Sequence, residues 1–135
     1  MAIKEIVTSE NIPDSEFVFL RVHKNSSRDG ELLPAAFKPK GEEGLSVDWG
    51  RYSTAEVSRF RARIPELNGV ARLCAGKIRA IDIYDGKDNL DVIHSPISEN
   101  FSHSLIKKLP DSDLEKTKAR KKLKDIAEIV IEVPI

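Results

Sequence analysis

The segment from Phe17 to His23 constrains the fold more than any other part of the chain. Alternate side chains of an extended strand share a face, so every second residue from Val18 to Val22 would point to one side. That side is wholly apolar, which predicts a strand buried in a core. The opposite side is aromatic at first and becomes cationic at Arg21 and His23. We therefore expect the strand to end at the rim of a sheet, with a polar site there.

Further apolar segments predict that this strand belongs to an α+β domain with a mixed or mainly antiparallel sheet. Two sequences resemble capping boxes, in which a serine and a glutamate satisfy the first backbone N–H groups of a helix. The first starts at Ser53 and predicts a helix that ends at Pro65, with Val57, Phe60 and Ile64 as its buried stripe. The second predicts a helix over residues 112–127. The other predicted strands are residues 44–48, 70–75, 90–94, 102–106 and 129–133.

Length and composition suit one ordinary globular domain spanning residues 1–135. A chain of 135 residues can bury roughly two thirds of its unfolded surface around one core. The 22 basic and 22 acidic side chains leave no net field to steer the molecule to nucleic acid. The single cysteine, Cys74, excludes an internal disulfide and favours a reducing compartment. With no apolar run long enough for a membrane span, we expect a cytoplasmic protein.

The polar segment from Lys24 to Gly44 follows the first strand directly. Loops this long are uncommon in compact domains unless they are functional or disordered. This one has an apolar middle, in which Phe37 is the expected anchor. A loop held down in this way would cover the rim where Arg21 and His23 emerge, which predicts a lid. The alternative is that the loop is a simple connector.

The three histidines lie in or beside predicted strands. If the hairpin is symmetric about the loop at residues 95–101, His94 and His103 fall close to opposite one another. With His23 and Asp48 these side chains are of the types that bind zinc or iron. No local motif brings them together, however, so we predict no metal and leave the cofactor open.

A better candidate site combines side chains from three predicted strands. Arg21, Ser46 and Asp48 are the expected ligand-binding residues, and His23 and His103 are the expected catalytic residues. Arginine offers a planar fork that matches phosphate, and histidine can exchange a proton near neutral pH. The set predicts a site that binds, or binds and turns over, a nucleotide or another phosphorylated small molecule. The alternative is a structural ion pair at Arg21 with histidines that only decorate the edge of the sheet.

The second helix carries a basic run from Lys116 to Lys124. Lys116, Arg120 and Lys124 are four residues apart and so share one helix face. A phosphate backbone of nucleic acid or an acidic partner could lie along this face. Such a face is most often solvated, however, and it lacks the aromatic side chains that would favour single-stranded nucleic acid. It nevertheless supports a hypothesis from another class, in which this helix or the long loop binds a protein partner. The chain would then be a non-catalytic module, such as a subunit of a toxin, defence or regulatory complex.

Four short motifs occur in order along the chain: Arg21-Val22-His23, Ala36-Phe37, Leu45-Ser46-Val47-Asp48 and Asn100-Phe101-Ser102-His103-Ser104-Leu105-Ile106. Together they resemble a group of small uncharacterised bacterial proteins that share an R-x-H strand, an AF, an LSVD and a late N-x-x-H-x-x-I. This resemblance implies that the matching positions belong to one site.

A fainter resemblance is to the ADP-ribosyltransferase plan, in which a strand bearing arginine or histidine precedes a strand bearing serine. It implies NAD near Arg21, His23 and Ser46. That plan also includes a glutamate on a late strand. Here only Glu128 and Glu132 could fill that position, and neither lies in a recognisable motif.

Overall fold

The computed structural model describes residues 9–39, 43–83 and 89–135. The predicted first strand, β1, lies inside a six-stranded sheet with the spatial order β6-β7-β4-β1-β5-β8. All of its pairings are antiparallel, which confirms the α+β prediction. The strands are β1 Phe17–His23, β2 Ser27–Arg28, β3 Glu31–Leu32, β4 Leu45–Trp49, β5 Asn68–Cys74, β6 Asp91–His94, β7 His103–Lys107 and β8 Glu128–Ile131; the helices of the described ranges are α1 Ala55–Phe60, α2 Ala75–Arg79 and α3 Asp113–Ile126.

One face of the sheet carries the main core. Val18, Leu20 and Val22 of β1 are buried there, as their alternation predicts. The other side of this core is formed by α2, by the inner face of α3 and by a 3₁₀ turn at Pro34–Phe37. Phe37 is completely buried, which confirms it as the anchor of the long loop.

Helix α1 lies on the opposite face of the sheet, and its predicted buried stripe is wrong. Val57, Phe60 and Ile64 are 43%, 72% and 48% exposed, whereas Ser58 is completely buried. The helix also ends at Phe60 rather than at Pro65. The polar side of α1 faces inward because the sheet beneath it presents a buried carboxylate rather than an apolar surface. Its N-cap is Thr54, whose hydroxyl accepts the Val57 N–H at 3.1 Å, and not Ser53.

Strands β6 and β7 form the predicted hairpin, but their register differs by one residue from the register that would place His94 opposite His103. His94 pairs with Ser104 and not with His103. A shift of one residue moves a side chain to the other face of a sheet, so the two histidines point in opposite directions. His94 is buried on the core side, where its ring accepts the Glu10 N–H and contacts the Phe101 carbonyl oxygen. The prediction that His94 and His103 face each other is therefore wrong.

The last third of the chain follows the predicted pattern more closely. Helix α3 buries Ala119 and Leu123 against the core, and strand β8 follows it at the edge of the sheet. Ser112 occupies the N-cap position of α3, although its side chain makes no capping hydrogen bond with the described residues. No helix in the described ranges is long and apolar enough to cross a membrane.

Candidate functional site

A cleft of about 580 Å³ opens at the end of the sheet where β1 finishes and β4 begins. Arg21 and His23 reach it from β1, and Ser46 reaches it from the neighbouring strand β4. The structure therefore brings together three of the five predicted site residues. The long loop after β1 forms a second wall through Ser26, Ala35, Ala36 and Lys38, and the segment after α1 forms a third through Arg61, Arg63 and Ile64.

The strand pattern explains why these side chains meet. In β1, Arg21 and His23 alternate with the buried Leu20 and Val22, so they project from the other face. Ser46 alternates with buried neighbours in β4 in the same way. Because β1 and β4 are adjacent in the sheet, side chains on the same face at the same end of the two strands lie close together.

The cleft is strongly cationic. Its lining includes Arg21, Lys38, Arg61 and Arg63, and among the described residues that line it there is no aspartate or glutamate. Within the described ranges, none of these four side chains forms a salt bridge. One nitrogen of Arg61 donates to the Glu99 backbone carbonyl at 3.0 Å, which holds that side chain while leaving its other donors available. The described part of the cleft therefore concentrates positive charge.

His103 joins the site through Ser46. Its Nε2 lies 3.3 Å from the Ser46 Oγ, and its Nδ1 lies 2.7 Å from the Ser95 carbonyl oxygen. A carbonyl oxygen can only accept, so Nδ1 carries the proton and Nε2 of the neutral ring is an acceptor. The Ser46 hydroxyl then donates to Nε2. His103 is therefore a fourth predicted residue beside the cleft. Its unprotonated Nε2 accepts from the hydroxyl of the exposed Ser46.

His23 has the opposite arrangement. Its Nδ1 accepts the backbone N–H of Asn25 at 3.1 Å, as the N-cap of the short 3₁₀ turn Lys24–Ser26. In the neutral ring the proton therefore lies on Nε2, which acts as a donor. The two histidines predicted to be catalytic thus differ: His103 offers an acceptor nitrogen and His23 offers a donor.

Asp48, the fifth predicted residue, lies beneath the surface and does not line the cleft. It is 1% exposed, and it accepts hydrogen bonds from Ser58 at 2.6 Å and from the Asn100 amide at 2.7 Å. The carboxylate oxygen that accepts from Asn100 is also 3.3 Å from the Ser102 hydroxyl. That hydroxyl lies only 2.5 Å from the Asn100 Oδ1. Asp48 therefore holds α1 and the loop between β6 and β7 on the sheet.

Lys38, Arg61 and Arg63 line the cleft but are not among the residues predicted for the site. A helix that continued to Pro65 would include both arginines, outside its apolar stripe. Because α1 ends at Phe60, Arg61 and Arg63 follow it in irregular chain and both reach the cleft. Their spacing of two residues, which suits an irregular or extended segment better than a helix face, was the available signal.

The basic face of α3 is only partly free. Lys116 and Arg120 line a second groove of about 610 Å³, but Glu43 and Asp111 line it too. Lys124 lies 3.7 Å from Glu31 and so is partly neutralised. This groove has mixed charge, whereas the first cleft has charge of one sign.

Other predicted groups lie away from the cleft. Glu128 pairs with Arg72 at 3.3 Å on the outer strands, and neither it nor Glu132 lines the cleft. Among the residues that the structure describes, no cluster of three histidine, cysteine or acidic side chains could hold a metal ion.

Fold and site together define an α+β protein with an antiparallel sheet and a cationic cleft at one end of it. Comparisons of the chain with protein families, with curated proteins and with solved structures gave no match. The two resemblances described above therefore stay predictions, and the function is inferred from the geometry of the site.

Proposed function

We propose that the protein binds a nucleotide or another phosphorylated small molecule in this cleft. The observation that carries the proposal is the composition of the lining, in which Arg21, Lys38, Arg61 and Arg63 occur without a carboxylate among the residues that the structure describes. Unneutralised cations that share a concave surface repel one another, and an anion relieves that repulsion. Arginine in particular donates two parallel hydrogen bonds to phosphate oxygens.

The dimensions and the neutral groups of the cleft fit a small molecule. Its volume of about 580 Å³ is within the range of about 300 to 1,000 Å³ that is typical of small-molecule sites. Ser46, Asn68 and the donor Nε2 of His23 can make directional hydrogen bonds. Leu20, Ala35 and Ile64 supply apolar wall. A phosphate with a polar and partly apolar substituent, as in a nucleotide, would use all of these features.

The proposal is tested by thermal denaturation with inorganic phosphate and with nucleoside mono-, di- and triphosphates. A ligand at 100 times its dissociation constant adds about 2.7 kcal/mol to the free energy of unfolding. We expect a higher Tm for the wild type, a smaller shift for Arg21→Ala and Arg63→Ala, and a weaker effect in high salt. Arg28→Ala is the matched control, because Arg28 is an exposed arginine on β2 that does not line the cleft.

A second candidate is a non-catalytic protein-interaction module, and one observation favours it. Helix α1 exposes Phe60 and Val57 beside the cleft, and exposed apolar side chains that adjoin one another often mark a contact surface. If no phosphorylated ligand raises the Tm of folded wild-type protein in low salt, the cleft proposal fails and the interaction module is preferred.

A further inference from the structure

We propose that Ser46 is the nucleophile of a phosphoryl-transfer reaction, with His103 as its general base, and that the substrate is a phosphate monoester. This inference rests on the proposed function, because the cationic cleft is what would hold the phosphoryl group beside Ser46. It adds a reaction and a nucleophile, neither of which is part of the binding proposal.

Ser46 and His103 form the reactive pair. A serine hydroxyl is a weak nucleophile until a base accepts its proton, and the base must have a free lone pair directed at the hydroxyl. Here Nε2 of His103 lies 3.3 Å from the Ser46 Oγ, slightly beyond the usual hydrogen-bond length. Such contacts are often longer in the absence of substrate and shorten when it binds.

A backbone carbonyl orients His103, the base. The Ser95 carbonyl accepts from Nδ1 of His103 at 2.7 Å, which fixes the tautomer and the rotation of the ring. Ser95 is itself fixed, since its N–H donates to the His103 carbonyl at 2.9 Å across the start of the hairpin. The pair therefore has the nucleophile, base and orienting acceptor of a hydrolytic triad, with a backbone carbonyl in the third position.

The nucleophile, Ser46, lies in the cationic cleft. Ser46 is exposed and lines the cleft, and Arg21 lines the cleft from the adjacent strand. A phosphoryl group held by Arg21, Arg61 and Arg63 would have its phosphorus within reach of the Ser46 Oγ. The guanidinium groups and the Nε2–H of His23 would then stabilise the charge on the phosphoryl oxygens as the bond to the leaving group breaks.

The reaction has two in-line displacements. In the first, the Ser46 Oγ forms a bond to phosphorus, its proton moves to Nε2 of His103, and the phosphorus–oxygen bond to the substrate alcohol breaks. The leaving alkoxide departs on the side opposite Ser46 and takes a proton from water in the open cleft. In the second, the resulting hydroxide, or a water that loses a proton to solvent, attacks phosphorus. The bond to Oγ breaks, His103 returns its proton to Ser46, and inorganic phosphate leaves.

The test is covalent labelling with an alkyl phosphonofluoridate, which loses fluoride when an activated serine attacks its phosphorus. Peptide mapping by mass spectrometry identifies the labelled residue, and the labelling rate is compared between variants. We expect the label on Ser46, none of it in Ser46→Ala, and a rate at least about 100-fold lower in His103→Ala, the minimum effect of losing a general base. Ser15→Ala is the matched control, because Ser15 is an exposed serine outside the lining of the cleft, and this change should leave the labelling of Ser46 unaltered.

The outcomes separate this inference from the binding proposal. Phosphate should slow the labelling and should still raise the Tm of Ser46→Ala. If phosphate raises the Tm but Ser46 is not labelled, or is labelled equally fast in His103→Ala, the nucleophile is refuted and the cleft only binds. If Ser46 is labelled with dependence on His103 while phosphate has no effect, the binding proposal and phosphoryl transfer both fail. Hydrolysis of p-nitrophenyl phosphate by the wild type but not by Ser46→Ala supports the full reaction, and labelled protein without any hydrolysis refutes it.

Discussion

Replacing Asp48 by alanine is expected to destabilise the fold strongly, although the residue makes no ion pair within the described ranges. Its carboxylate is 1% exposed and accepts short hydrogen bonds from Ser58 and Asn100. The alanine variant removes both acceptors and leaves their donors inside the protein. A buried donor without a partner costs about 1 to 3 kcal/mol, and a hydrogen bond to a charged group contributes about 1.5 to 3 kcal/mol.

The total follows from what each donor can do afterwards. Ser58 lies in α1, where its hydroxyl can turn to the carbonyl of the residue four positions earlier, so part of its loss is recovered. Asn100 lies in the loop between β6 and β7 and has no such local acceptor. We therefore expect a loss of about 3 to 4 kcal/mol in the free energy of unfolding. For a chain of 135 residues, about 1 kcal/mol corresponds to roughly 3.5 °C, so the Tm should fall by about 10 to 14 °C.

Urea denaturation of wild type, Asp48→Ala, Ser58→Ala and the double variant measures the loss and its origin. The two single effects should not add, and a coupling energy of about 1 to 2 kcal/mol is expected for residues in direct contact. Ser46→Ala is the control, since it changes an exposed position on the same face of β4 and should cost no more than about 0.5 kcal/mol. A loss of under about 1 kcal/mol in Asp48→Ala, or additive effects of the two single changes, would refute this account of the buried cluster.

Three further changes test other parts of the structure by the same denaturation assay. Phe60→Ala should change the stability by less than about 0.5 kcal/mol because the ring is exposed; a loss of about 3 kcal/mol would show that it is buried after all. Gly69→Ala should cost about 1 to 3 kcal/mol, because the added Cβ would lie 2.5 Å from the Ile131 carbonyl oxygen on β8, and an unchanged urea midpoint would contradict the close packing of that edge strand. Burial alone would lower the pKa of Arg79, but hydrogen bonds to Asp14 and Asp91 outweigh it and raise that pKa. Because Arg79→Leu removes these hydrogen bonds, it should lower the free energy of unfolding by about 2 to 4 kcal/mol. A neutral result would show that these contacts contribute no net stability.

The sheet could be predicted from the sequence because alternation is a local property. The faces of β1 and β4, and hence the meeting of Arg21, His23 and Ser46, follow from residues that are adjacent in the chain. The register of the hairpin could not be predicted, because it depends on how its loop closes. The Ser95 N–H bonds to the His103 carbonyl and a short bridge forms inside the loop, which shifts the pairing by one residue and separates the two histidines.

The remaining error, the inverted face of α1, also explains why Arg61 and Arg63 were not predicted to line the cleft. Binary patterning assumes that the apolar side of a helix faces the core, and here a buried carboxylate on the sheet binds the polar side instead. Asp48 attracts Ser58 inward, so Phe60 points outward, and the chain leaves α1 in a direction that carries Arg61 and Arg63 to the cleft. If this order of causes is right, Asp48→Asn should weaken the phosphate-dependent Tm shift as well as the fold, although Asp48 does not line the cleft. A variant that loses stability but keeps the full phosphate shift would show that the arginines are positioned independently of the cluster.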